Sequence, residues 1–149
     1  MATFSDNYAT NVATLGTLGD ARDGKNITMI IPFYVVVPAT PGTGPVFNLG
    51  DMIPAGFKPR FLYVGTNGLS ASATVNLTVT IGDAGDASRL MSAQDFDVTG
   101  AQFTGLDPKG YDYEYTSETQ LIATVLAGKT PVTGQKMFGW LFGTARKAT

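Results

Sequence analysis

Residues 73–81 read ATVNLTVTI, an unbroken alternation of apolar and polar side chains. Val75, Leu77, Val79 and Ile81 fall on one side, and Thr74, Asn76, Thr78 and Thr80 on the other. Successive side chains of a strand point to opposite faces, so the stretch predicts a strand with one face buried and one wet. Four aliphatic side chains cannot alone offset the entropy of ordering such a segment. The strand therefore needs neighbours and is expected in the middle of a sheet.

Working outward, ITMIIPFYVVV (27–37) is rich in β-branched and aromatic residues and reads as a strand buried on both faces. Pro32 cannot donate to a ladder, which puts this strand at an edge or gives it a bulge. PATPGTGP (38–45) is a loop, and its Gly42-Thr43-Gly44 lacks the strand-to-helix setting of a phosphate cradle. Further strands are expected over 46–53 and 59–66, with turns at Ala55-Gly56 and Asn67-Gly68. In GDAGDASRLMSAQDF (82–96), Asp86 or Ser88 could cap a short helical turn holding Arg89, Leu90 and Met91. The last third supplies strands near 102–106, 111–115, 120–126 and 136–142. Seven or eight short strands separated by Gly, Pro, Asn and Asp turns argue for an all-β sandwich or jelly roll.

Residues 1–26 carry Gly16, Gly19, Gly24, scattered charges and isolated apolar side chains. They read as an extended N-terminal arm, frayed or laid on a neighbour, ahead of a single β-sandwich domain over 27–149. MATFSDNYAT has neither a basic n-region nor an apolar h-region, so no secretory signal is expected. The most apolar run is shorter than a membrane helix needs.

Composition narrows the chemistry. The 149 residues include no cysteine and no histidine. That removes disulfides, thiolate chemistry, the usual general base and the commonest transition-metal ligand. Ten basic against twelve acidic residues give a net charge of -2 with no basic stripe, which argues against nucleic-acid binding. Charged residues make up 15%, well below ordinary globular usage, alongside 44% hydrophobic residues. Either an uncharged Thr/Ser/Asn surface or a surface covered by a partner accounts for this balance.

The candidate sites each have a bland counterpart. Asp83 and Asp86 flank a glycine and are the best metal candidates, but calcium needs more oxygens, and a Gly/Asp turn explains the pair better. Asp112 and Glu114 in YDYEY would share a strand face at a spacing near that of an inverting glycosidase pair. A solvated strand face is the simpler reading, as it is for Asp95 and Asp97. In KMFGWLFG (136–143), Phe138, Trp140 and Phe142 alternate with Met137, Gly139 and Leu141. Such an aromatic row could stack sugars, but large aromatic burial energies favour the core. No catalytic residue, metal site or cofactor is expected.

Four segments then suggest kinship: GFKPRFLYVGTNG (56–68), ATVNLTVTIGDAGDASRL (73–90), GYDYEY (110–115) and KMFGWLFG (136–143). In style and order they resemble the small jelly-roll or β-sandwich capsid decoration (cement) proteins of tailed bacteriophages. The resemblance implies a jelly-roll-like domain, assembled as a dimer or trimer, on the outer surface of the capsid of a virion. It would bridge and stabilise subunits of the major capsid protein, without enzymatic activity, nucleic acid or membrane. Phe4, Tyr8, Arg22 and Lys25 in the arm, and Arg146 and Lys147 in the tail, are the expected capsid or subunit contacts. The alternative is a carbohydrate-binding or host-recognition module of a phage particle, carried by Trp140 and the tyrosines. A glycan hydrolase using Asp112 and Glu114 is a distant third.

Overall fold

The structure, a computed structural model, describes residues 27–69, 77–111, 113–126 and 129–145. Among these residues the regular structure is entirely β, in eight strands. They are β1 (Ile27–Val36), β2 (Val46–Ile53), β3 (Phe57–Asn67), β4 (Thr78–Gly82), β5 (Met91–Asp95), β6 (Thr99–Gly105), β7 (Thr119–Val125) and β8 (Lys136–Ala145). Two antiparallel sheets result, ordered β1-β8-β3-β6 and β2-β7-β4-β5.

The pairings have a simple rule. β1 pairs with β8, β2 with β7, β3 with β6 and β4 with β5, so the two strand numbers always add to nine. The chain is therefore one long antiparallel ribbon, doubled back near the β4–β5 connection. Successive rungs go alternately to the two sheets, and β3–β8 and β4–β7 pairing then stitches each sheet together. That is the jelly-roll topology. The all-β sandwich with eight strands is as expected.

The core lies between the sheets. Leu62, Val64, Met137 and Leu141 from one sheet face Leu49, Val79, Ile81, Leu121 and Ala123 from the other, all nearly or wholly inaccessible. Leu77, Val79 and Ile81 are buried as their alternation requires, and β4 lies between β7 and β5. Residues 70–76, which include Thr74, Val75 and Asn76, lie outside the described residues.

Several local expectations need correcting. Thr80, expected on the wet side, is only 7% exposed. Strands flank it on both sides, and the loop after β4 folds back over this face, where a Cβ on Gly82 would strike the Asp86 carbonyl oxygen. β1 is an edge strand, as Pro32 demands, but it is not buried on both faces. Ile31 and Phe33 point inward, while Ile30 and Tyr34 are more than half exposed. Asn67-Gly68 ends β3, with Gly68 at φ +92°, yet it makes no hairpin, because the next strand belongs to the other sheet.

Residues 86–89 form a hydrogen-bonded turn rather than a helical one, with Arg89 N donating to Asp86 O, and Met91 already opens β5. The expected strand at 111–115 is not formed. Asp107 caps a Pro108-Lys109-Gly110 turn, with Gly110 N and Tyr111 N both donating to its carbonyl oxygen. Tyr111, Tyr113 and Tyr115 consequently do not share one face: Tyr111 is exposed and Tyr115 is buried.

Candidate assembly interface

β8 settles the character of the molecule's surface. Its inward positions are Met137, Gly139, Leu141, Gly143 and Ala145, and its outward row is Phe138, Trp140 and Phe142. The aromatic row is therefore not core, contrary to the expectation from burial energy. Side chains from the neighbouring strands take the space inside. A Cβ on Gly139 would strike the Tyr63 carbonyl oxygen and come within 2.8 Å of the Phe33 ring, and one on Gly143 would meet the Lys58 carbonyl oxygen and the Phe57 ring at 2.5 Å. With Phe33 and Phe57 already filling the interior beside them, positions 139 and 143 have room for no side chain, and the three aromatic rings of this strand point out.

The register then aligns these residues across the sheet. Ile30, Phe142 and Phe61 form one row, Pro32, Trp140, Tyr63 and Thr104 the next, and Tyr34, Phe138, Gly65 and Gln102 the third. Tyr63 and Trp140 stack, with ring centroids 4.4 Å apart and planes at 27°. Gly65 leaves a notch into which Phe138 settles, 2.8 Å from where a Cβ would be. Trp140 remains 42% exposed and Tyr34 58%. No residue in the three rows is charged. Charge stands at the rim: Lys136 beyond one end, and Lys58 beyond the other in an ion pair with Glu114 at 3.2 Å.

Beside this face, at the β1 edge, lies an open groove of about 270 Å³ lined by Met29, Ile30, Ile31, Asp51, Met52 and Pro54. Its single carboxylate has no titratable companion in the lining. The groove offers apolar contact rather than acid–base chemistry.

The titratable groups gather elsewhere, in the loops after β4 and β6. Asp83 is 3% exposed; its Oδ1 accepts from Gly85 N (2.8 Å) and Asp86 N (3.0 Å), and its Oδ2 from Arg89 Nε (2.5 Å). The Arg89 guanidinium lies 3.7 Å from the Tyr113 ring centroid. Burial pushes the Asp83 carboxyl up, but the Arg89 hydrogen bond, the two amides and the Arg89 charge together hold it below the ordinary carboxylate value. The Ser88 amide does the same for Asp86, whose carboxylate also meets Lys109 Nζ at 3.2 Å. Asp83 and Asp86 thus serve as turn and ion-pair residues, each with a cation already in place. Glu114 is engaged by Lys58, and its proposed partner Asp112 lies outside the described residues. Asp95 accepts from Thr78 Oγ1 at 3.0 Å.

Phe4, Tyr8, Arg22, Lys25, Arg146 and Lys147 also lie outside the described residues. The structure does fix where their segments attach: Ile27 pairs with Ala145, so residues 1–26 and 146–149 join the sandwich side by side. The aromatic face was missed because alternation gives two faces without saying which is inner. The usable signal was Gly139 and Gly143, which share a side with Met137 and Leu141.

No protein-family model matches the chain, and no curated protein matches it. Solved structures do. A chain in "Capsid of Ralstonia phage GP4" superposes with a TM-score of 0.67 at 15% identity, covering 83% of this chain and 86% of that one. One in "Cyanophage Pam1 capsid asymmetric unit" gives 0.60 at 19% identity, with 83% and 87% covered. One in "Acidic stable capsid structure of Helicobacter pylori bacteriophage KHP30" gives 0.56 at 15% identity, with 83% and 98% covered. At these identities the likeness establishes a shared fold: this chain is a jelly roll of the kind found in three phage capsid structures.

Proposed function

We propose that this chain is a structural, non-enzymatic virion protein of a bacteriophage, a decoration or cement protein on the outside of the head. It stabilises contacts between subunits of the major capsid protein. The observation that carries this reading is the broad, uncharged aromatic face of the β1-β8-β3-β6 sheet, a surface suited to burial against protein. The fold shared with chains of phage capsids supports it. Residues 1–26 and 146–149, leaving the sandwich side by side, are the segments that grip the capsid, through Phe4, Tyr8, Arg22, Lys25, Arg146 and Lys147.

Pelleting purified protein with expanded, undecorated capsids tests this. Saturable co-sedimentation is expected, and removing residues 1–20 weakens it. A chain that stays in the supernatant at every capsid concentration rules the function out.

The exposed Tyr63–Trp140 stack favours one second reading, a glycan-binding platform. Trp140 is the only tryptophan, so its emission reports directly on ligands at that stack. Ile30, Phe61 and Phe138 beside it favour a protein surface, so added glycans are expected to leave the emission unchanged. A saturable shift supports the glycan reading instead.

A further inference from the structure

We infer that the aromatic face binds a second copy of this chain, forming an isologous dimer in which the β1-β8-β3-β6 sheets stack face to face. The inference rests on reading this face as an assembly surface, and it names the occupant.

Size is the first argument. The exposed parts of Ile30, Tyr34, Val36, Phe61, Phe138 and Trp140 amount to roughly 500–600 Å², the upper end of what an ordinary monomer leaves open. With a polar rim added, this approaches the ~800 Å² per partner of a standard stable interface, whose centre is uncharged and aromatic.

Shape is the second. Sheets twist with one hand, and the natural complement of a twisted sheet is another of the same twist, stacked about 10 Å away and aligned to within about 30°. A second copy supplies that surface without any further requirement.

Charge is the third. An uncharged face meets no like-charge penalty on meeting itself. The rim then chooses the axis. A two-fold running along the strands would set the two Lys136 side chains against each other. One running across the strands along the Pro32–Trp140–Tyr63 row keeps the two Lys136 side chains apart and carries each toward the partner's Lys58–Glu114 ion pair, whose charges offset one another. The geometry points to this second arrangement, with Trp140 at the centre, where interface energy concentrates.

Sedimentation equilibrium on the full chain is the test. At about 10 µM, within the range standard-size interfaces support, a dimer is expected. Dilution should shift the Trp140 emission to the red as the indole is uncovered. Trp140→Glu and, independently, Tyr34→Glu should each raise the dimer dissociation constant on the order of 100-fold or more, because each substitution enters a symmetric interface twice. Ala93→Glu, on the exposed part of β5 in the other sheet, should leave it unchanged. Circular dichroism confirms that each variant is folded, and the more exposed Tyr34 site serves if the Trp140 variant is not.

A wild-type monomer throughout this range overturns the dimer, as does a dimer insensitive to both substitutions. The capsid assay separates the two ideas. A monomer that still pellets with capsids removes the dimer alone, whereas a dimer that does not pellet removes the capsid function and leaves the dimer standing.

Discussion

Arg89 binds Asp83 through Nε at 2.5 Å while laying its guanidinium over Tyr113 at 3.7 Å, so one side chain ties the loop after β4 to the segment after β6. The two strand ends that this clamp joins belong to different sheets. It therefore holds the sandwich closed at that end.

Asp83→Ala should cost about 3 kcal/mol in urea unfolding, since it leaves Arg89 largely buried without its anion and frees two amides. Asp83, Asp86 and Asp107 are all held below the ordinary carboxylate value of 3.8. A carboxyl depressed in the folded state stabilises the fold above its unfolded value and loses that contribution as pH falls through the folded one. Wild-type stability should thus decline below about pH 4, and the decline should be shallower in Asp83→Asn. Equal acid slopes in the two proteins would contradict this.

Tyr115 gives the opposite limb. Its buried hydroxyl makes no hydrogen bond of good geometry, although the Asp83 carboxylate is close by, and burial together with that carboxylate raises the phenol above its usual 10.0. The unfolded chain then releases this proton first, and stability falls as pH rises beyond about 10. Tyr115→Phe removes an unsatisfied polar atom, so it should be neutral or stabilising by up to about 1 kcal/mol at neutral pH. It should also flatten the alkaline decline. A loss above about 1 kcal/mol would show that the hydroxyl is satisfied after all.

Gly139→Ala should destabilise by about 3 kcal/mol or more, because the added methyl meets backbone, which cannot swing aside as a side chain could. Thermal unfolding that matches wild type would mean the β3 and β8 backbones are further apart than described.

Tyr63 and Trp140 should couple by about 0.5–1 kcal/mol in a double-mutant cycle through alanine, measured by denaturant unfolding at a concentration where the protein is monomeric. Both singles should stay folded, since neither ring lies in the core. A coupling of zero would mean the stack forms only against a partner.

What the sequence disclosed is uneven for identifiable reasons. Leu77, Val79 and Ile81 were legible because period-two alternation reports directly on a half-buried strand, and Pro32 was legible because a missing donor is tolerated at an edge. The pairing rule that makes the jelly roll was not, since it depends on contacts between residues more than a hundred positions apart, such as Ile27 with Ala145. YDYEY misled because aromatic propensity outweighed the Pro108-Lys109-Gly110 turn just before it. KMFGWLFG misled because its interior partners, Phe33 and Phe57, lie far away in the chain, and only their volume explains why the glycines face in.

The two glycines on the inner side of β8 separate two kinds of evolutionary freedom. Gly139 and Gly143 admit no replacement without disturbing the strands alongside, so those two positions are frozen by sterics. Phe138, Trp140 and Phe142 stand on the opposite side, where exchanging one large ring for another leaves the interior untouched. A lineage carrying this chain can thus retune what it adheres to, step by step, while its scaffold stays the same.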